Sequence, residues 1–160
     1  MITGVAHVGV CVPDVEAATA WYHEVLGLEV LSPPYLMTGE QLRDDMGELI
    51  TNPQMKAAIL GFPGDGDGVL EVIEYPGVAG DDERRRGAAL TDPGLSHVGL
   101  VCTDIDATRA ALEAAGVELL VSGIADVARL RTTWFTDPWG VVFILLEKSR
   151  PERPYYAQWG

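Results

Sequence analysis

The chain has 160 residues, 48% of them hydrophobic, which suits one globular domain with a real core or two small modules fused together. With 11 Lys and Arg against 24 Asp and Glu the net charge is −13, so the chain repels polyanions, and nucleic acid is excluded as a partner. No apolar run approaches the ~18 residues of a membrane span. The start Met1-Ile2-Thr3-Gly4 carries no secretion signal, and two cysteines are too few for a disulfide scaffold, so a cytoplasmic setting is expected.

In chain order, residues 4–12 alternate and are rich in Val, which predicts a strand. Asp14 predicts a helix start, with the helix over 15–26 and Gly27 as its stop. A second strand is expected over 28–31. Residues 32–55, with Pro33-Pro34, Gly39, Gly47 and Asn52-Pro53, read as irregular, with a helical turn inside 40–49. Strands over 56–62 and 68–75 flank the turn-rich Pro63-Gly64-Asp65-Gly66-Asp67. A linker follows over 77–94, and its cluster Glu83-Arg84-Arg85-Arg86 reads as solvated, since Asp81 and Asp82 adjoin it. Beyond it come a strand over 96–102, a helix from Asp104 to about 115, and strands over 117–121, 128–135 and 141–147. The tail, 149–160, has no period; its aromatics Tyr155, Tyr156 and Trp159 predict packing on the body or on a partner.

The second set repeats the first. Ala6-His7-Val8-Gly9-Val10 returns as Ser96-His97-Val98-Gly99-Leu100, and Asp14-Val15 returns as Asp104-Ile105. A fixed internal period means one β-α-β-β-β unit used twice, over about 3–76 and 95–148. Strand alternation puts His7, Gly9 and Cys11 on one face and Val8, Val10 and Val12 on the other. The all-Val face should cover the helix, leaving His7 on the open face. The same logic puts His97, Gly99 and Val101 on the open face of the second unit. Glu71-Val72-Ile73-Glu74 aligns with Ile144-Leu145-Leu146-Glu147, so Glu74 matches Glu147 on the helix side. Glu71 then lies on the opposite face, with Ile144 as its counterpart. A glutamate among Leu70, Val72 and Ile73 is costly to bury without a partner. Two histidines and a carboxylate are a donor set suited to a divalent metal. A lone histidine is more often a satisfied core residue; the twin at His97 and the carboxylate at Glu71 favour a site. Cys11 reads as a small apolar filler of the open face, Cys102 as inert on the helix side, and His23 as solvent-facing.

On these motifs, with Trp21-Tyr22, Leu26-Gly27-Leu28 and Asp137-Pro138-Trp139-Gly140, the chain resembles the vicinal oxygen chelate superfamily over about residues 3–148. That superfamily includes glyoxalase I, methylmalonyl-CoA epimerase, extradiol dioxygenases and bleomycin-resistance proteins. The resemblance implies an α+β fold in which two tandem βαβββ modules form a cup-shaped, partly open mixed β-barrel with helices outside. It implies a metal held by one residue from the first and last strand of each module. His7, Glu71 and His97 match three of these positions; Ile144 stands where the fourth ligand, a glutamate, is expected. Either three protein ligands hold the ion (Zn, Ni, Co, Mn or Fe) or the ion has been lost. The resemblance places a general base on the third strand or the long loop, where Glu48, Gln54, Lys56 and Arg131 are candidates. Arg131 alternatively grips a carboxylate or thioester oxygen, or is a surface arginine. The implied function is a metal-dependent lyase or isomerase that acts on a small oxygenated substrate through a metal-stabilised enolate. The alternatives are an Fe(II) dioxygenase and a metal-free protein that sequesters an antibiotic-like ligand. A homodimer is expected, with contacts from the tail.

Overall fold

The computed structural model describes residues 1–64, 66–78 and 90–158. The Arg84-Arg85-Arg86 cluster, most of the expected linker, and Trp159 lie outside these residues. The chain divides into two compact units, Met1–Gly80 and Asp81–Gly160.

The first unit contains β1 (His7–Cys11), α1 (Val15–Leu26), β2 (Glu29–Met37), α2 (Glu40–Met46), β3 (Met55–Gly61) and β4 (Val69–Glu74). Its four strands lie in the order β1-β4-β3-β2, with β1 parallel to β4 and the other pairs antiparallel. Burial follows the expected alternation. Val10 and Val12 are buried while His7, Gly9 and Cys11 are exposed. In register with them, Ala58, Leu60, Leu70 and Val72 are buried on the helix side, against Val15, Ala18 and Tyr22 of α1.

Helix α1 begins and ends where its caps demand. Asp14 is extended, and its side chain accepts from the Ala17 N–H at 2.9 Å. Gly27 takes φ +73°, a left-handed turn that costs a glycine nothing, and donates its N–H to the His23 carbonyl. A second carboxylate completes the N-terminus: Glu74, at the end of β4, accepts from the Val15 N–H at 3.1 Å. The negative charge also suits the positive end of the helix dipole.

The second unit contains β5 (Val98–Cys102), α3 (Ile105–Ala114), β6 (Glu118–Leu119), β7 (Ala125–Val127), β8 (Leu130–Thr136) and β9 (Val142–Lys148). The order is β5-β9-β8-β6, with β7 also paired to β8. The capping at the helix N-terminus is repeated. Asp104 accepts from the Ala107 N–H at 2.9 Å, and Glu147 accepts from the Ile105 N–H at 2.9 Å. Fully buried Phe135 and Phe143 stack at 5.2 Å on the helix side of this sheet. The α+β fold of two tandem modules is therefore present, each with one mixed sheet that does not close on itself.

Two expectations need correction. Strand β2 continues through Pro33-Pro34 to Met37 rather than ending at residue 31. It is an edge strand, and register shifts between Val30 and Ser32 and between Ser32 and Tyr35 absorb the prolines, which cannot donate to a ladder. Strand β7 was not expected; it joins β8 through a two-residue turn at Ala128-Arg129, both with positive φ, +48° and +60°. Within the tail, one set of contacts is made by an amide. Gln158 is fully buried and its side-chain nitrogen donates to the carbonyls of Arg150 and Arg153, at 2.8 and 3.1 Å. Tyr155 and Tyr156 stay exposed.

Candidate functional site

Each sheet has one face covered by its helix and one opposite it. In the first unit the opposite face is set by the ladder. Gly9 is the register partner of Glu71 on β4, and Glu71 is the partner of Ile59 on β3. His7, two residues before Gly9, is thus brought beside Glu71: Nε2 of His7 lies 3.1 Å from Oε2 of Glu71. The Glu71 side chain is 17% exposed and that of His7 49%, so the carboxylate is sunk among its neighbours while the ring remains accessible. Cys11 is exposed on the same face and pairs in register with Ile73. Tyr75 follows at the end of β4, where burial first, then the Cys11 and Glu71 charges, raise the pKa of its phenol.

The corresponding face of the second unit has another character. Gly99 and Trp134 are the two register partners of Ile144, and Val101 and Thr132 are those of Leu146. His97 is exposed at the start of this face. Its ring meets Trp134 edge to face, with centroids 4.9 Å apart and planes at 73°. Its Nδ1 lies 2.7 Å from the Ser96 hydroxyl. Where the first unit gives its histidine a carboxylate, the second supplies isoleucine and an indole. Trp134 was not picked out from sequence. Only the β8–β9 pairing places it beside Ile144.

Of the other candidates, Glu48 and Gln54 are exposed, Glu48 in the turn after α2 and Gln54 just before β3. Lys56 and Arg131 are both drawn to the helix side. Lys56 is the register partner of Glu74 and forms an ion pair with Glu16. The bond to Glu16 holds its ammonium above the ordinary pKa. Arg131 is the register partner of Glu147 and donates to Asp106 at 2.8 Å and to Glu147 at 3.2 Å. Both cations, candidates for the general base in the sequence, are engaged by carboxylates in the structure. Each sits across the sheet from the histidine of its unit, tied to the carboxylates at the head of the helix. Neither cysteine is in a disulfide, and burial raises the thiol pKa of Cys102 on the helix side. His23 is exposed, with Nδ1 2.7 Å from the Leu28 carbonyl.

Two further features lie away from the histidines. Asp14, Glu16 and Glu74 can bring ligand oxygens within 4.8 Å of one another, but all three are engaged, with Ala17, Lys56 and Val15 respectively. A cavity of about 320 Å³ in the second unit is lined by Arg129, Arg131, Glu147 and Ser149 among others, and not by His97, Trp134 or Ile144.

The donor chemistry of His7 and Glu71 fits a divalent metal. Bonds of about 2.1 Å in tetrahedral geometry put neighbouring donor atoms roughly 3.4 Å apart. The observed 3.1 Å separation is close to that value. The chain thus repeats one βαβββ unit, with a histidine on the first strand of one copy, a histidine just before the first strand of the other, and a carboxylate beside the first of them. Sequence comparison then gives the family. The profile of the Glyoxalase/Bleomycin resistance protein/Dioxygenase superfamily matches residues 4–145, and the chain belongs to that superfamily. The ethylmalonyl-CoA/methylmalonyl-CoA epimerase of Cereibacter sphaeroides is 33% identical over 126 residues, 77% of this chain and 78% of the relative. Among solved structures, a glyoxalase family protein from Bacillus cereus superposes with a TM-score of 0.76 at 21% identity, covering 92% of this chain and 95% of the other. A fosfomycin resistance protein from Listeria monocytogenes, solved with Mn(II) and sulfate, gives 0.53 at 17% identity, covering 92% and 93%. At these identities the two structures show the shared fold alone.

Proposed function

We propose that the chain is a metal-dependent lyase or isomerase, of glyoxalase or epimerase type, acting on a small oxygenated substrate by moving a proton next to a carbonyl. The observation that carries this reading is the His7–Glu71 pair, with His97 as the duplicate of His7 in the second unit. In this reading His7, Glu71 and His97 are the protein ligands of one divalent ion, and Ile144 leaves a position for water or substrate. The ion, when bound, supplies Lewis acidity toward neighbouring substrate oxygens. The 33% identical epimerase supports a thioester of a substituted malonate as the first substrate to try.

The chain's own residues must supply the proton transfer. With Lys56 and Arg131 committed to the helix heads, Glu48 is the carboxylate left among the candidates, and we assign it the role of general base. Glu71 has a different task. As a ligand beside His7 it adds negative charge to the donor set.

The test is metal content and calorimetry on protein purified without chelator. One divalent ion per chain is expected. His7→Ala, Glu71→Gln and His97→Ala should each weaken its binding by 10-fold or more. Glu48→Gln should keep the metal and lose exchange of the α-proton of methylmalonyl-CoA in D₂O. A wild type without metal overturns the reading. Ile144 and Trp134 beside His97 favour a second one, a metal-free protein that sequesters an apolar ligand, which tight binding of an aromatic compound to metal-free protein would support. In either reading we propose a homodimer in a cytoplasmic setting. Sedimentation of the full chain and of a chain lacking residues 150–160 tests the dimer and the tail's part in it.

A further inference from the structure

We infer that Ser96 is a positioning residue for His97: its hydroxyl accepts the Nδ1–H proton, which leaves the Nε2 lone pair as the metal donor. The inference rests on the metal-binding reading above and extends it to a residue that no ligand pattern includes. Imidazole has two nitrogens, and the hydrogen bond made by one decides which is available at the other. In the first unit the histidine meets a carboxylate through Nε2, because β4 delivers Glu71 there. In the second unit the matching position is Ile144, which has nothing to offer a ring nitrogen. The polar partner comes instead from the preceding residue. Ser96 Oγ lies 2.7 Å from Nδ1 of His97. The first unit has Ala6 at the same place in its repeat, so the serine is found only in the copy that lacks the carboxylate.

Trp134 supplies the second restraint. Its ring meets the imidazole at 4.9 Å and 73°, an edge contact that resists rotation about the ring's own bond. A hydrogen bond at Nδ1 and an aromatic contact on the ring together fix both the tautomer and the plane. A histidine so held can bind a metal without first losing rotamer freedom, which offsets part of the missing fourth donor.

The test compares Ser96→Ala, which copies the first unit, with Ser96→Thr, which keeps the hydroxyl. Calorimetry with Co²⁺ reads affinity, and ¹⁵N NMR of the metal-free protein reads the tautomer of His97. Ser96→Ala is expected to bind Co²⁺ 10- to 100-fold more weakly and to lose the Nδ1–H tautomer, while Ser96→Thr keeps both. If the wild type binds Co²⁺ and Ser96→Ala matches it in affinity and tautomer, the inference is overturned and the metal reading stands. If the wild type binds no Co²⁺, the metal reading falls. The orienting role is then judged on the tautomer alone: a change in Ser96→Ala supports it, and no change overturns it.

Discussion

The two units share a helix side and differ on the other face. On the helix side each places an aspartate cap, an acid at the second helical position, a glutamate from the last strand and a cation from the strand beside it. In the first unit these are Asp14, Glu16, Glu74 and Lys56; in the second they are Asp104, Asp106, Glu147 and Arg131. On the opposite face the first unit joins a histidine to a carboxylate, and the second joins a histidine to a hydroxyl and an indole, with isoleucine at the glutamate's place in the repeat. The duplicated fold is thus maintained by one set of polar contacts while a separate set of positions diverged. Residues that anchor a helix and residues that can bind a ligand are divided by the pleat of the sheet.

The largest effect should come from breaking the shared side. Val10 is 4% exposed there, and Val10→Asp places a charge against α1 with no partner. It should cost roughly 4 kcal/mol or more and give unfolded or aggregated protein, seen by circular dichroism. His7→Ala, on the opposite face, should leave the melting temperature within a few degrees while divalent metal binding is lost. Equal damage from the two substitutions would mean that the division of faces is wrong.

Next in size is a change that makes the second unit resemble the first. Ile144→Glu puts a carboxylate at the register position of Gly99 and Trp134. Calorimetry should show metal affinity raised 10-fold or more, with turnover lowered because an open position is filled. No gain in affinity would place His97 outside the metal site.

A smaller effect is expected at the β7–β8 turn, which has no equivalent in the first unit. Ala128 and Arg129 hold positive φ without glycine, as a type I′ turn requires. Replacing them with Asn and Gly should stabilise the protein by about 1 kcal/mol in thermal unfolding.

The smallest effect concerns acid. The bond from Arg131 holds the Asp106 carboxyl below its ordinary pKa. A carboxylate lowered in the folded state contributes stability that is present above its unfolded value, about pH 4, and lost as pH falls through the folded one. Asp106→Asn should therefore flatten the acid end of the stability curve slightly and leave neutral pH nearly unchanged.

Much of this was legible in the sequence because it depends on period and on local chemistry. The repeat of Ala6-His7-Val8-Gly9 at Ser96-His97-Val98-Gly99 gave the tandem units, and alternation gave the faces of His7 and Glu71. Both helices begin at an aspartate whose side chain reaches an N–H three residues on, a purely local interaction. What was not legible depends on partners far along the chain. The face that Arg131 and Lys56 take is undecided in the sequence until the register pairs them with Glu147 and Glu74. Strand β2 looks irregular through Pro33-Pro34 until its place at the sheet edge is known. Trp134 needed the β8–β9 pairing to bring it beside Ile144.

The glutamates at the helix heads also bear on how each unit folds. Asp14 can start α1 from within the local chain, but the Val15 N–H waits for a residue 59 positions away. In the second unit the separation is 42 positions. The difference in closure entropy between loops of these lengths is only about 0.3 kcal/mol, so the two units should close with similar ease. In both, the helix reaches full strength only when the last long strand has docked, so early helical structure in either unit should be frayed at its first turn. Native-state hydrogen exchange at Val15 and Ile105 would then follow opening of β4 and β9 rather than fraying of the helices themselves.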